Sequence, residues 1–565
     1  MKKYEPFDLK AVAEYARNYL NTMVDEKYDY LPYWFVQINE APAYAKHVRV
    51  DDAELVASWY EAIVAVRHIL GRDPLSDKVE EGFKKHLLKS WGPMGLRYHE
   101  DYPWSATNHS SFHEMAYILG ALNRLIDEEP DNKEAEQRAG ELIRGMRELV
   151  VERRIRTFWS GDYPYTDKIY EFPGDVYLRD GGWAPERVTG RGEMSIRNGM
   201  MLHSVVVRAE RTGDEVALDL AEGLANHLLG LSRYFNWKGE FFGHVHSAVW
   251  VASGLARLGR MLDNDFYIEK ANSIHSYVKR ISSSFGWVPE YAQWYPETEV
   301  HCETCCIKDM IQCSLELVDC GYDHWDLAHT FLRNQLAEQQ VCDGSFVSVD
   351  NTREDENGHT WKDIDKRVVG GWSGGGEPNS VSLQRFRAIA GCCVGTAPQA
   401  LQLVWDRIVT EENKTVTVNM PISKKDSIAD VDAGYPNDYA IRVEAKKDGD
   451  YRIRIFDWMG NRLELIKNGH SLPAAFADGC VLFENVKKGD RLELRHPFKE
   501  VTTKEMVRGL DLTLTWRGPD VVEMVPPGLP LRLYQRELGV PKEYPAPVMG
   551  GGGKQVSMKP TEQKK

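Results

Sequence analysis

From the N-terminus to about residue 409, apolar residues return every three or four positions, the period of an amphipathic helix. The stretch D-L-K-A-V-A-E-Y-A-R-N-Y-L opens the first predicted helix, over 8–24. Eleven more are predicted over 52–71, 76–91, 110–128, 132–153, 192–213, 215–235, 246–264, 265–283, 303–320, 322–340 and 392–408. Several are joined by short turns, such as Gly213-Asp214 and Asp263-Asn264-Asp265, as in antiparallel helix pairs. Six such hairpins in a ring would form an (α/α)6 barrel. A helical solenoid is the rival, but no sequence signature recurs at a fixed period.

Non-helical insertions rich in Trp, Tyr, Gly, Asp and Pro interrupt the helices at 92–109, 154–191, 284–302 and 341–382. Loops of that length in a compact domain are usually functional, so they are expected to line the mouth of the barrel. Near residue 410 the period changes to two. K-T-V-T-V-N-M-P-I, D-Y-A-I-R-V-E-A, D-Y-R-I-R-I-F-D-W and D-R-L-E-L-R-H-P alternate apolar with polar and are separated by turn signals. The organisation expected is a barrel over 1–409, an all-β sandwich over 410–540 and a disordered tail over 541–565.

Composition narrows the partner. At 565 residues the chain has room for a large domain and a smaller one, and a net charge of -15 argues against binding nucleic acid. Sixteen Trp and 26 Tyr supply flat faces that can stack on sugar rings, beside their ordinary use in cores. The first residues, M-K-K-Y-E-P-F-D, have no apolar run behind the lysines, and no window approaches 18 uninterrupted apolar residues. Nine cysteines form no regular disulfide spacing. A cytoplasmic protein with reduced thiols and no membrane partner is expected, with a homodimer left open.

The cysteines are clustered: eight of nine fall between Cys302 and Cys393. In V-H-C-E-T-C-C-I-K-D-M-I-Q-C-S-L-E-L-V-D-C, the residues Cys302, Cys306, Cys313 and Cys320 are spaced four, seven and seven apart. That is one stripe of a helix, which reads as core packing. Cys305 lies off the stripe beside Glu303. The adjacent pair Cys392-Cys393 would point about 100° apart on a helix, so both serve one site only if a ligand such as a metal meets the chain end-on. Three thiolates and a carboxylate suit tetrahedral zinc, although the spacing is not that of a zinc finger.

E-T-C at 303–305, with G-C-C-V-G-T-A-P-Q-A-L at 391–401, resembles glycoside hydrolase family 127, the β-L-arabinofuranosidase family. The order of parts is similar: helical barrel, E-x-C, C-C, then a sandwich opening on a V-x-V-N strand, here T-V-T-V-N-M at 415–420. The chain lacks the Pro-Pro that commonly follows the pair. The resemblance implies that Glu303, Cys305, Cys392 and Cys393 hold a zinc ion and that Cys392 is also the nucleophile. It implies an acid/base Glu shortly before E-x-C, for which Glu290, Glu297 and Glu299 are candidates. Glu290 in W-V-P-E-Y fits that context best. His113 and His244 match histidines that the family places around the sugar. Near R-N-G-M-M a further family His is replaced by Arg197 or Asn198, and an Arg there suits an acidic sugar.

The expected reaction is retaining glycoside hydrolysis on a carbohydrate substrate, with a thiolate in place of the usual second carboxylate. Cys392 would attack the anomeric carbon, and Glu290 would protonate the leaving oxygen and then activate water. That role needs a carboxyl that keeps its proton near neutrality, which the negative charge of the thiolates and Glu303 favours. Three other readings compete. One is a hydrolase of another pectin-derived pentose-like or acidic sugar, and one a metal-independent epimerase or uronyl hydrolase on the same barrel. The last is a non-catalytic carbohydrate-binding protein with structural zinc.

Overall fold

The computed structural model describes residues 2–105, 108–153, 168–185, 191–296, 300–381, 389–529 and 531–544. All twelve predicted helices are present: α1 (Leu9–Thr22), α2 (Val56–Leu70), α3 (Pro74–Leu87), α4 (Phe112–Glu128), α5 (Lys133–Leu149) and α6 (Met200–Thr212). They continue as α7 (Glu215–Asn226), α8 (Val245–Leu262), α9 (Asp265–Ile281), α10 (Thr304–Val318), α11 (Trp325–Phe331) and α12 (Gly391–Arg407). Several predicted starts move, the largest shift being from 192 to Met200 for α6, and two of the shifts have a local reason. Cys302 precedes α10 and bridges Gly376 in an extended segment, so it is not on the helical stripe. The helix expected from 322 begins at Trp325, because Gly321 at φ +94° ends the preceding turn.

Packing closes these helices into a ring. The even-numbered helices contact one another in the order α2–α4–α6–α8–α10–α12 and back to α2. Each is backed by an odd-numbered helix, with α1 packing across both α2 and α12. This is an (α/α)6 barrel. The two rings differ in burial as the pattern requires. Every residue of α10 from Thr304 to Leu317 is buried, whereas α5 buries one stripe, including Ala135, Ala139, Leu142, Ile143 and Met146.

The rings also differ in how their helices begin. In the outer ring Asp8, Asp73, Asn132, Asp214 and Asn264 each cap the following helix through a side-chain oxygen. The inner helices α4, α8, α10 and α12 have no side-chain cap, and α2 and α6 continue from a wider turn over Asp51–Leu55 and Ser195–Gly199. The inner N-termini meet at one mouth without caps from their own N-cap side chains, although at α4 Asp175 accepts from the His113 N–H.

Apart from short strands of two or three residues among the barrel's loops, the strands begin at Val409. Two five-stranded sheets carry the alternating segments, one of them with a parallel pair between Thr415–Val418 and Gly449–Arg454. Inward residues such as Val443, Tyr451, Ile453, Phe483, Leu492 and Leu494 fill the sandwich. A separate three-stranded sheet, Glu500–Val507, Leu510–Arg517 and Asp520–Val525, was not expected. Its strands alternate like those of the sandwich, so pattern alone does not say which sheet they join. It reaches back to the barrel. Glu505 accepts from the Ser284 N–H (2.9 Å) and hydroxyl (2.6 Å), and Arg508 at the hairpin tip pairs with Glu377. The predicted tail lies outside the described residues beyond Tyr544.

One buried ion cluster ties the two parts together. Asp520 accepts two bonds from Arg333, at 2.9 and 3.0 Å, and a third from Arg536 at 2.9 Å. Arg333 and Asp520 are 1% and 0% exposed, so solvent cannot replace a lost partner. Asp520→Ala would strand the buried Arg333 guanidinium, Arg536 keeping Glu338, and is expected to cost about 3–5 kcal/mol, read as a lower urea midpoint. A change under about 0.5 kcal/mol would show that the cluster contributes nothing to coupling.

Candidate active site

The mouth formed by the inner helix starts encloses a cavity of about 590 Å³. It is lined from every inner helix start: Glu54 before α2, His113 on α4, Arg197 before α6, His244 before α8, Glu303 and Cys305 at α10, and Cys392 at α12. Six positive helix ends favour the carboxylates and thiolates gathered there.

Local structure pins the two halves of the cysteine cluster. A short strand, Ile389–Ala390, pairs with Val36 and Phe35, and the Gly391 N–H donates to the Trp34 carbonyl at 2.7 Å. Gly391 itself has no room for a side chain, since a Cβ would lie 2.7 Å from Leu55. This fixes where α12 starts. On the other side Cys302 exchanges backbone hydrogen bonds with Gly376 (2.7 and 2.8 Å), and the Thr304 hydroxyl lies 2.7 Å from the Ser373 carbonyl. The W-S-G-G-G segment thus backs E-T-C. Glu303 occupies the N-cap position of α10 yet makes no capping bond, so its carboxylate is turned to the cavity.

Ligand atoms of Glu303, Cys305, Cys392 and Cys393 all lie within 4.8 Å of one another. The Cys305 Sγ–Cys393 Sγ distance is 3.7 Å, Cys392 Sγ–Cys393 Sγ is 4.0 Å and Cys392 Sγ–Glu303 Oε1 is 3.7 Å. Zinc–sulfur bonds of about 2.3 Å at tetrahedral angles place sulfurs roughly 3.8 Å apart, so this donor set fits zinc in both type and spacing. The ionisation of the thiols agrees. Burial opposes a charge on Cys393, but thiol hydrogen bonds from Cys305 and Cys392 bring it down to about 6. Burial and its two neighbours hold Cys305 well above the ordinary thiol range. Cys392 is also held well above it, since Cys393 and burial outweigh the lowering effect of Cys305. The protein alone supports one negative charge shared by three sulfurs. Three thiolates together require a cation. The Thr396 hydroxyl, 3.3 Å from Cys305 Sγ, is placed to donate to one of them.

A second group overlaps the first. His244, Glu290 and Glu303 also have ligand atoms within 4.8 Å of one another, with His244 Nε2 3.5 Å from Glu303 Oε2. Glu290 is 5% exposed, and its backbone N–H donates to the His301 carbonyl at 2.7 Å. The structure thus brings Glu290 to the cysteine cluster, while Glu297 and Glu299 lie outside the described residues. His113 is gripped by Asp175, whose two oxygens lie 3.3 Å from Nδ1. Burial opposes its charge, but Asp175, Glu114 and Glu54 outweigh burial and raise it to about 10, leaving a cation on the wall. Arg197 reaches the cavity with its guanidinium 3.4 Å from Glu171.

Sequence reasoning missed several lining residues. Glu54 stands with His113 Nε2 3.9 Å away, and burial, with the nearby Cys392, raises it to about 8. Asp175, which orients His113, comes from a segment with no motif in common with the cysteines, whereas His246 and its partner Asp309 lie two residues after His244 and one helical turn after Cys305. Of the cysteines read as core, Cys302, Cys306 and Cys313 are fully buried and Cys320 is partly exposed. Cys306 comes within 4.0 Å of Glu303 Oε2 from behind.

No protein-family model matches the sequence, and no curated protein matches it. Solved structures do. A GH127 β-L-arabinofuranosidase from Geobacillus stearothermophilus T6 superposes with a TM-score of 0.55 at 14% identity, over 91% of this chain and 80% of its own. A second GH127 β-arabinofuranosidase gives 0.57 at 14% identity, over 92% and 83%. A further glycoside hydrolase gives 0.57 at 13%, over 89% and 85%. With the barrel and the trailing strands both inside that overlap, the chain has the fold of the family 127 β-L-arabinofuranosidases.

Proposed function

We propose that the protein is a retaining glycoside hydrolase of the β-L-arabinofuranosidase type with Cys392 as nucleophile and Glu290 as acid/base. The observation that carries this reading is exposure. Of the three clustered thiols, Cys305 and Cys393 are 0% exposed and Cys392 is 9% exposed, on the cavity wall that Glu290 shares. Both Cys305 and Cys392 line the cavity, and the greater exposure of Cys392 supports it as the sulfur that reacts.

A zinc ion bound by Glu303, Cys305, Cys392 and Cys393 would keep the thiols deprotonated and make Cys392 a competent leaving group. In the first step the Cys392 sulfur bonds to the anomeric carbon, the glycosidic C–O bond breaks, and Glu290 gives its proton to the departing oxygen. In the second, Glu290 takes a proton from water, the water oxygen bonds to the anomeric carbon, and the C–S bond breaks to return the thiolate. Two displacements retain configuration. His113, cationic and fixed by Asp175, and His244 are assigned to the sugar hydroxyls. A carboxylate-bearing sugar at Arg197 would have to compete with Glu171, which favours a neutral pentose. The cytoplasm is part of this reading, because a site built on three thiols needs a reducing compartment.

The test is incubation of the zinc-loaded protein with an aryl β-L-arabinofuranoside, followed by NMR identification of the anomer first released. Retained β-L-arabinose is expected. The inverted anomer would remove Cys392 from the nucleophile's role, and absence of hydrolysis would sink the arabinofuranosidase assignment.

A further inference from the structure

The wall beside Glu290 differs in chemistry from the rest of the cavity. Glu54, Asp175, His113 and Arg49 make the far side polar and suited to the hydroxyls of one sugar. On the Glu290 side, a two-stranded ribbon pairs Gly243–His244 with Tyr291–Ala292, Tyr291 standing opposite His244. Tyr291 follows Glu290 directly and lines the cavity. The Trp294 ring centroid lies 5.1 Å from that of Tyr291, and Phe242 lies 6.1 Å from Trp294 with ring planes 29° apart. Phe242 is 46% exposed and Tyr295, next along, 90% exposed. Aromatic faces therefore run from the candidate acid out to the surface.

We propose that this ribbon is a binding platform for sugar rings on the leaving-group side of the scissile bond. The inference rests on the assignment of Glu290 as acid/base. A general acid must touch the leaving oxygen, so the leaving group departs along the wall that carries Glu290. On that wall the next side chain is Tyr291, and Trp294 and Phe242 continue the run outside the cavity. Exposed aromatics held in one run are costly to leave in water and mark a recognition surface. Their flat apolar faces match the C–H faces of pyranose and furanose rings, while the ring edges keep the sugar hydroxyls in solvent. A small glycoside would leave Trp294 and Phe242 uncovered.

The test compares wild type with Trp294→Ala and Phe242→Ala on two substrates. One is methyl β-L-arabinofuranoside, whose one-carbon leaving group cannot span the ribbon. The other is a tetrasaccharide ending in β-L-arabinofuranose. The ratio of kcat/KM, tetrasaccharide over methyl glycoside, is expected to fall on the order of tenfold in Trp294→Ala and less in Phe242→Ala, mainly through KM. Ratios within about twofold of wild type in both variants would overturn the platform. Should wild type cleave neither substrate, the glycosidase reading fails separately, and calorimetric titration with the tetrasaccharide judges the ribbon. Binding lost in Trp294→Ala would sustain it, and no binding, or binding indifferent to Trp294, would overturn it.

Discussion

Cys392→Ser is expected to lower turnover by at least about 10⁴-fold with little change in the fold, because on the proposed mechanism it removes the atom that forms the bond to sugar. A serine hydroxyl occupies nearly the same space but ionises far less readily than a thiol and ligates zinc poorly. The side chain sits at the cavity edge, so no core packing is disturbed. The companion substitution Glu290→Gln separates the acid from the nucleophile. Its loss should be large on an unactivated oligosaccharide and at least about tenfold smaller on a dinitrophenyl glycoside, whose leaving group needs no proton. Steady-state kinetics on both substrates, with circular dichroism as the fold control, make the check. Normal turnover in either variant would remove that residue from its role. Global unfolding of Cys392→Ser would favour a purely structural metal cluster in a carbohydrate-binding protein.

Removal of the metal is the second large effect. One zinc per chain is expected, and exhaustive chelation should cut activity by more than about 100-fold and lower the melting temperature, both restored by added zinc. With four protein donors within 4.8 Å of one another, a bound zinc would be filled by Glu303, Cys305, Cys392 and Cys393, and its proposed part is to hold the sulfur of Cys392 and not to polarise substrate. The cluster variants should divide accordingly. Cys393→Ser and Cys305→Ser, both on fully buried sulfurs, should lose zinc and activity together. Cys392→Ser should retain much of the zinc while losing activity. Elemental analysis alongside the assay decides this, and full turnover in a zinc-free protein would favour a metal-independent sugar enzyme on the same barrel.

The β-rich part bears on the same site. Arg508 on its hairpin pairs with Glu377 and lies 3.5 Å from His301 Nδ1, and the His301 carbonyl holds the Glu290 N–H. The strands after Val409 therefore buttress the segment that carries both Glu290 and Glu303.

What the sequence determined by itself were the local regularities. The 3.6-residue period marked the helices α1 to α12, and the period of two marked the strands after Val409, because burial on one face imposes each period on the residues themselves. The E-x-C and C-C pairs stood out because Cys305 falls off the helical stripe, two adjacent helix positions cannot share one packed face, and both pairs resemble motifs of family 127. Closure of the ring was left to tertiary structure, since α2 and α12 meet only after more than three hundred residues have turned full circle. So was the choice among donors. Glu54 and Asp175 lie at arbitrary separations along the chain and meet only because six inner helices bring their N-termini to one mouth. Cys302 looked like one stripe with Cys306, Cys313 and Cys320, and the start of α10 at Thr304 decided otherwise. The distinction between a thiol that holds and a thiol that reacts depends on which sulfur faces open space. No spacing encodes that, because it is a property of the cavity and not of the chain.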